Sequence, residues 1–252
     1  MNIGQNLSLK SILVVCLLIF AALPKLGFAT TTESHLKFVV PHFPPYTFIE
    51  NGTWHGEGYK MATEALKQAK IAFTIKPVSN YGKAFAMLKS GHADGFFLAS
   101  QNEQRDKIAV FSQSIVTNHW KWYVLKDIKD SPYSKYFKDN YRIASHLNAN
   151  THIWLKENGY RVEAVVDVAS IALMLEKNRF EAVLLAEKVF EQTALQQNIS
   201  LASFNQYLHS NREFGIYISK KKVHQNPEIM RRLNQAILQI QTKHINQNSL
   251  SQ

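Results

Sequence analysis

The sequence predicts an α/β fold, on three observations. Short β-type runs alternate with helix-periodic segments along the 252 residues, which is the signature of strands joined by crossover helices. The composition, 46% hydrophobic and 19% charged, is that of a globular chain able to bury a core. Beyond the N-terminus no run is apolar over the roughly 18 to 20 residues that a membrane span requires.

The N-terminus is read apart from that fold. Lys10 precedes the apolar run Ser11 to Leu23, which is followed by Pro24 and the small-x-small triplet Gly27-Phe28-Ala29. This layout predicts a cleavable secretory signal over residues 1–29 and a protein exported to the periplasm. Cys16, the only cysteine, lies inside the apolar run behind Val15, where a lipid-attachment signal wants a small residue. Cleavage after Ala29 leaves 223 residues with no thiol, so the exported part must fold without disulfides.

The elements then follow in order. Leu36 to Val40 reads as a strand, and Tyr59 to Ala69 as a helix with Met61, Ala62, Ala65 and Leu66 on one face. Phe73 to Pro77 is strand-like. Tyr81 to Lys89 is helical through Ala84, Phe85 and Leu88, and Ala93 to Ala99 is a strand entered through Gly91. After an extended aromatic stretch, His119 to Leu125, the polar segment Lys126 to Asn140 predicts a surface excursion. A second α/β series follows. Its strands are Tyr141 to Ala144, Ala164 to Val166 and Ala182 to Leu185, and its helices Asn150 to Asn158 and Val168 to Lys177. A strand over Phe214 to Ser219 and a helix over Pro227 to Lys243, with Ile229, Leu233, Ile237 and Ile240 on one side, complete the chain.

Charge narrows the partners. The formal +10 becomes +8 once Lys10 and Lys25 leave with the signal, which favours anionic ligands or contact with an acidic envelope surface. Nucleic acid is not expected, because the basic residues are scattered except for Lys220-Lys221-Lys222, read as a solvated turn. The ten histidines show no paired metal-ligand spacing. His146 and His152 flank the second-lobe turn and read as solvated loop histidines, with a place facing the cleft as the alternative, and neither a metal nor a cofactor is expected. Trp120 and Trp122, two apart, share one face of an extended segment and read as hinge or core packing, with a cleft wall as the alternative.

The segment Ala93 to Ser112 carries the chemistry. An apolar strand runs into a polar turn that presents Arg105, with Asn102 placed to cap a helix start. A guanidinium fork suits a carboxylate. The alternative is an exposed helix arginine paired with Glu103 or Asp106.

Five fragments in order carry a resemblance. They are Pro44-Pro45-Tyr46-Thr47-Phe48 with Gly56, Leu88-Lys-Ser-Gly-His-Ala-Asp94, Arg105 to Ser112, Asn178-Arg-Phe-Glu-Ala-Val183, and Phe214 to Lys220. Over its mature length the chain resembles bacterial extracellular solute-binding proteins of family 3, which serve ATP-driven uptake of polar amino acids. The resemblance implies a two-lobed, type II periplasmic-binding-protein fold with lobes joined by two crossing strands. Lobe one would span 30–115 plus 213–252, and lobe two 116–212. The ligand would sit in the cleft between them, which closes by hinge motion.

Carried over by position, Arg105 matches the arginine that grips the ligand's α-carboxylate, and Ser100 or Gln101 a neighbouring hydroxyl. Phe43 and Tyr81 match aromatic positions that flank the ligand, with Tyr46 as a more exposed alternative. The second-lobe aspartate that holds the ligand's ammonium is replaced by Ala186, with Glu187 one residue along, and Ser145 to Thr151 replaces the usual Gly-Ser/Thr turn. The expected function is a monomeric, non-enzymatic receptor for a small carboxylate-bearing solute, working with an inner-membrane permease or a sensor. Two alternatives stand beside it. One is a dehydratase-like enzyme using Glu187, Glu57 or His146, and the other an envelope protein without a small ligand.

Overall fold

A computed structural model of the protein describes residues 35–249, so the expected signal segment lies outside the described residues. Strand β1 (Leu36–Pro41) buries every residue but Lys37, the pattern of a parallel strand covered on both faces. The hairpin β2 (Phe48–Glu50) and β3 (Thr53–His55) then leads into helix α1 (Glu57–Gln68), whose Ala62, Ala65 and Leu66 face the sheet. Strand β4 (Phe73–Val78), helix α2 (Tyr81–Lys89) and the wholly buried β5 (Gly95–Ser100) follow. β4 and β5 flank β1 in parallel, so α1 and α2 are crossover helices. The single turn α3 (Glu103–Asp106) and the short β6 (Ala109–Phe111) end this first series.

Strand β7 (Val116–Leu125) carries the chain across to a second series: α4 (Lys135–Asn140), β8 (Arg142–His146), α5 (Asn150–Glu157), β9 (Arg161–Val165), α6 (Ile171–Glu176), β10 (Ala182–Ala186) and α7 (Glu187–Gln196). Strand β11 (Phe204–Ser219) brings it back, and α8 (Lys220–Gln225) and α9 (Glu228–Ser249) follow. The sheet order is β4-β1-β5-β11-β7-β10-β8-β9, with β6 also on β11. β11 pairs antiparallel with β7 from Phe204 to Phe214 and then with β5 from Phe214 to Ile218. β7 and β11 are therefore the two strands that join the lobes. α9 buries Ile229, Leu233, Ile237 and Ile240 and returns to pack on α1 of the first lobe.

Four local expectations are corrected. β11 begins at Phe204, because its polar half is held by the ladder to β7 and not by burial. The excursion after Leu125 ends in α4, whose Phe137 is fully buried edge-on to Trp122 at 6.0 Å. Val168 to Lys177 divides into a tight turn at Val168–Ser170 and α6. Lys220 to Lys222 opens α8, where Ser219 caps the helix and Lys222 lies 3.6 Å from Asp94. Trp120 and Trp122 enter one cluster with Phe137, Ile143, Leu155 and Tyr160, as their shared face requires.

Candidate ligand-binding site

The site begins with an irregularity in β5. Leu98 has φ 57°, a left-handed conformation that a bulky side chain rarely adopts, and the register against β11 shifts between Gly215 and Ile216. The buried Leu98 side chain fills the space over Gly58, where no Cβ fits. Its carbonyl accepts the Tyr81 hydroxyl, so the bulge fixes Tyr81 at the start of α2.

Arg105 lies beside that ring. Asn102 caps α3 by accepting the Arg105 N–H at 2.9 Å, and the Tyr217 hydroxyl receives the Asn102 N–H at 3.2 Å. Arg105 is only 4% exposed. Its Nη1 donates to the Ser100 carbonyl at 2.6 Å, and its guanidinium sits 5.5 Å from the ring centres of Tyr81 and Phe96. Asp106 is occupied by the Tyr217 hydroxyl at 2.8 Å and Gln101 Nε2 at 2.9 Å. Among the described residues Arg105 makes no ion pair. Burial pushes its pKa down, against opposing effects of Tyr217, Tyr81 and Asp106. This overturns the alternative reading of an exposed arginine paired with Glu103 or Asp106.

The second lobe closes over this group. Asn150 Nδ2 donates to the Ser100 carbonyl at 3.0 Å, and Asn102 Nδ2 donates to Asn150 Oδ1 at 2.7 Å. Phe43 stacks on His146 of β8 at 5.7 Å, and Lys188 of α7 pairs with Glu57 of α1 at 2.6 Å. Burial lowers the His146 pKa to about 4, Asp167 opposing and His152 and His42 adding to the shift. Between the lobes a cavity of about 20 Å³ is lined by Phe43, Tyr81, Ser100, Arg105, Asn150 and Ala186, among others. That volume suits one water molecule. Among the described residues no group of three or more His, Cys, Asp or Glu is placed to hold a metal.

The sequence profile of the bacterial extracellular solute-binding proteins, family 3, matches residues 37–249. The chain belongs to this family. No curated protein matches it in sequence. Solved structures of similar fold include holo ArgBP from T. maritima (18% identity, TM-score 0.66, covering 82% of this chain and 90% of that one). The GluR0 ligand-binding core from Nostoc punctiforme in complex with L-glutamate is similar at 16% identity and TM-score 0.70, covering 84% and 96%. A histidine kinase sensor domain with similarity to periplasmic binding proteins gives 15% identity, TM-score 0.70, and coverage of 84% and 93%.

In this family 3 protein, four of the residues singled out in the sequence, Phe43, Tyr81, Ser100 and Arg105, line one cavity. Gln101 instead holds Asp106 and faces a larger neighbouring groove. Tyr46 is 1% exposed, behind Phe43 and directed to Asn118, which corrects its reading as the exposed aromatic. Glu187 begins α7 and pairs with Lys121 of β7 at 2.7 Å, while Ala186 beside it lines the cavity. His146 and His152 are buried and not solvated loop residues, and Nδ1 of each has no hydrogen-bond partner among the described residues. Sequence reasoning placed Asn150, Thr151 and Phe214 on elements but did not single them out as cavity residues. Asn150 gave a faint signal as a polar residue where a helix begins, but its contact with Ser100 depends on the closing of the lobes.

Proposed function

We propose that this family 3 member is an exported receptor that takes a small carboxylate-bearing solute, an amino acid or a related acid, between its lobes. It would deliver the solute to an ATP-driven permease or report it to a sensor. Lobe limits near 30–115 plus 213–252 and 116–212 suit this reading. The observation that carries it is Arg105, a buried guanidinium with one backbone acceptor and no carboxylate partner among the described residues. Burying a charge without a counterion is costly, and a ligand carboxylate would supply the missing partner bidentately. The solved relatives support the class of solute: one holds L-glutamate and another is a sensor domain. Since the cavity of about 20 Å³ is far smaller than any such acid, entry requires the lobes to part.

A second reading draws on that same volume. Phe43 already meets His146, and Ser100 meets Asn150, across the cleft, as they would in a protein that keeps the family fold without a small ligand. Thermal shift against amino acids, keto acids and small aromatic acids separates the two. A ligand at 100 times its dissociation constant adds about 2.7 kcal/mol, several degrees for a chain of this size. The Arg105→Met variant should lose that shift while melting no lower than the parent, because it removes a desolvated charge. A shift by an acid without an aromatic ring that is retained in Arg105→Met would refute the carboxylate site, and no shift for the parent across the panel would favour the second reading.

A further inference from the structure

A larger groove lies beside the Arg105 cavity, where α3 of the first lobe, α5 of the second and the joining strands β7 and β11 meet. Its volume is about 450 Å³, within the range of small-molecule sites. Half-buried Trp154 gives it a flat indole wall, and beside it Trp120 is buried with Arg212 over its ring at 4.7 Å and His209 stacked on it at 6.0 Å. Arg212 Nε is buried with no hydrogen-bond partner among the described residues. Lys107, Glu103 and Glu157 also line the groove. None of these four charged side chains forms an ion pair among the described residues.

We propose that this groove is a second binding site, for a zwitterionic amino acid with a flat aromatic side chain. The reasoning is chemical. Opposite unpaired charges within one groove match the carboxylate and ammonium of a zwitterion, with Arg212 and Lys107 for the former and Glu103 and Glu157 for the latter. The Trp154 indole, and the Arg212 plane that lies on Trp120, offer stacking area at little conformational cost. The Arg105 cavity supplies an anion partner but places Ala186 where an ammonium would need an acid. The groove supplies both signs and has its volume while the lobes are in contact, so the site does not depend on the function proposed above for Arg105.

L-phenylalanine is the probe, titrated into the purified protein by calorimetry and by tryptophan fluorescence, to which the ligand does not contribute. Saturable binding with a fluorescence change is expected. Arg212→Gln and Glu157→Gln should each weaken it about tenfold, the loss of one charge-assisted hydrogen bond. Hydrocinnamic acid, which lacks the ammonium, and phenethylamine, which lacks the carboxylate, should bind as weakly. Arg105→Met should leave the affinity unchanged. The proposal is overturned if L-phenylalanine does not bind, or if binding is lost in Arg105→Met and kept in Glu157→Gln. The latter outcome would locate an aromatic acid at Arg105 and leave the receptor reading intact. Glu157 is exposed near the end of α5, so its variant tests the site even if Arg212→Gln fails to fold.

Discussion

At the scale of single residues, the cleft is built from groups whose charge state is set by burial. Arg105 keeps its charge because a guanidinium cannot be deprotonated in a protein, and the Ser100 carbonyl is its one direct acceptor. His146 takes the other course and remains neutral against Phe43, its pKa lowered to about 4 from an ordinary 6.5 by burial. Burial lowers the pKa values of His152 and His209 as well. All three therefore bind fewer protons folded than unfolded, and their contribution to stability is complete above pH 6.5 and declines as pH falls through the lowered values. Melting temperature should fall as pH is taken from 6.5 toward about 5, before most carboxylates titrate. His146→Phe, which preserves the stacking on Phe43, should flatten the profile. An unchanged slope in that variant would mean that His146 is hydrated and titrates freely.

At the scale of elements, α3 has four residues and no apolar stripe, so its position depends on its cap. Asn102 serves twice, accepting the Arg105 N–H within α3 and donating to Asn150 across the cleft. Loss of an N-cap costs about 1 kcal/mol, or roughly 2–4 °C in a chain of this length. Asn102→Ala should fall by that amount and bind ligand more weakly, whereas Asn102→Asp keeps the cap and loses only the donation to Asn150. Equal melting losses in the two variants would show that the cap does not hold α3. Such elements mark where sequence reading succeeds. The cap at Asn102 and the buried faces of β1, α1, α2 and β5 are legible because each is a local pattern. The first half of β11 is not, since Asn205 to Glu213 is polar and becomes a strand only through its ladder to β7. The burial of Arg105 is equally hidden, because Tyr81, Phe96 and Tyr217 reach it from other elements. The left-handed Leu98 has no sequence signal, its conformation following from the bulge against β11.

At the scale of the whole molecule, the contacts between the lobes include Phe43 on His146, Glu57 with Lys188, Asn150 with Ser100 and Asn102, and Gly82 of α2 against Asn148. The last leaves no room for a side chain. A Cβ on Gly82 would lie 2.6 Å from Asn148 Nδ2 and 2.9 Å from Asn148 Cβ, so either α2 or the loop before α5 must move. Asn148 itself is held at φ 59°, which limits how its backbone can yield. Within α2 the substitution is favourable, because alanine exceeds glycine in helix propensity by about 1 kcal/mol. Gly82→Ala therefore acts as a wedge that leaves each lobe intact and strains only their meeting. Overpacking of this kind costs about 1–3 kcal/mol, enough to shift a two-state hinge by roughly tenfold or more. The variant should show a larger radius of gyration by small-angle scattering and melt no lower than the parent in the absence of ligand. It should bind a cleft ligand about tenfold more weakly, because closure would then have to overcome the wedge. Unchanged scattering with parent affinity would mean that the loop at Asn148 yields and that closure does not depend on the glycine.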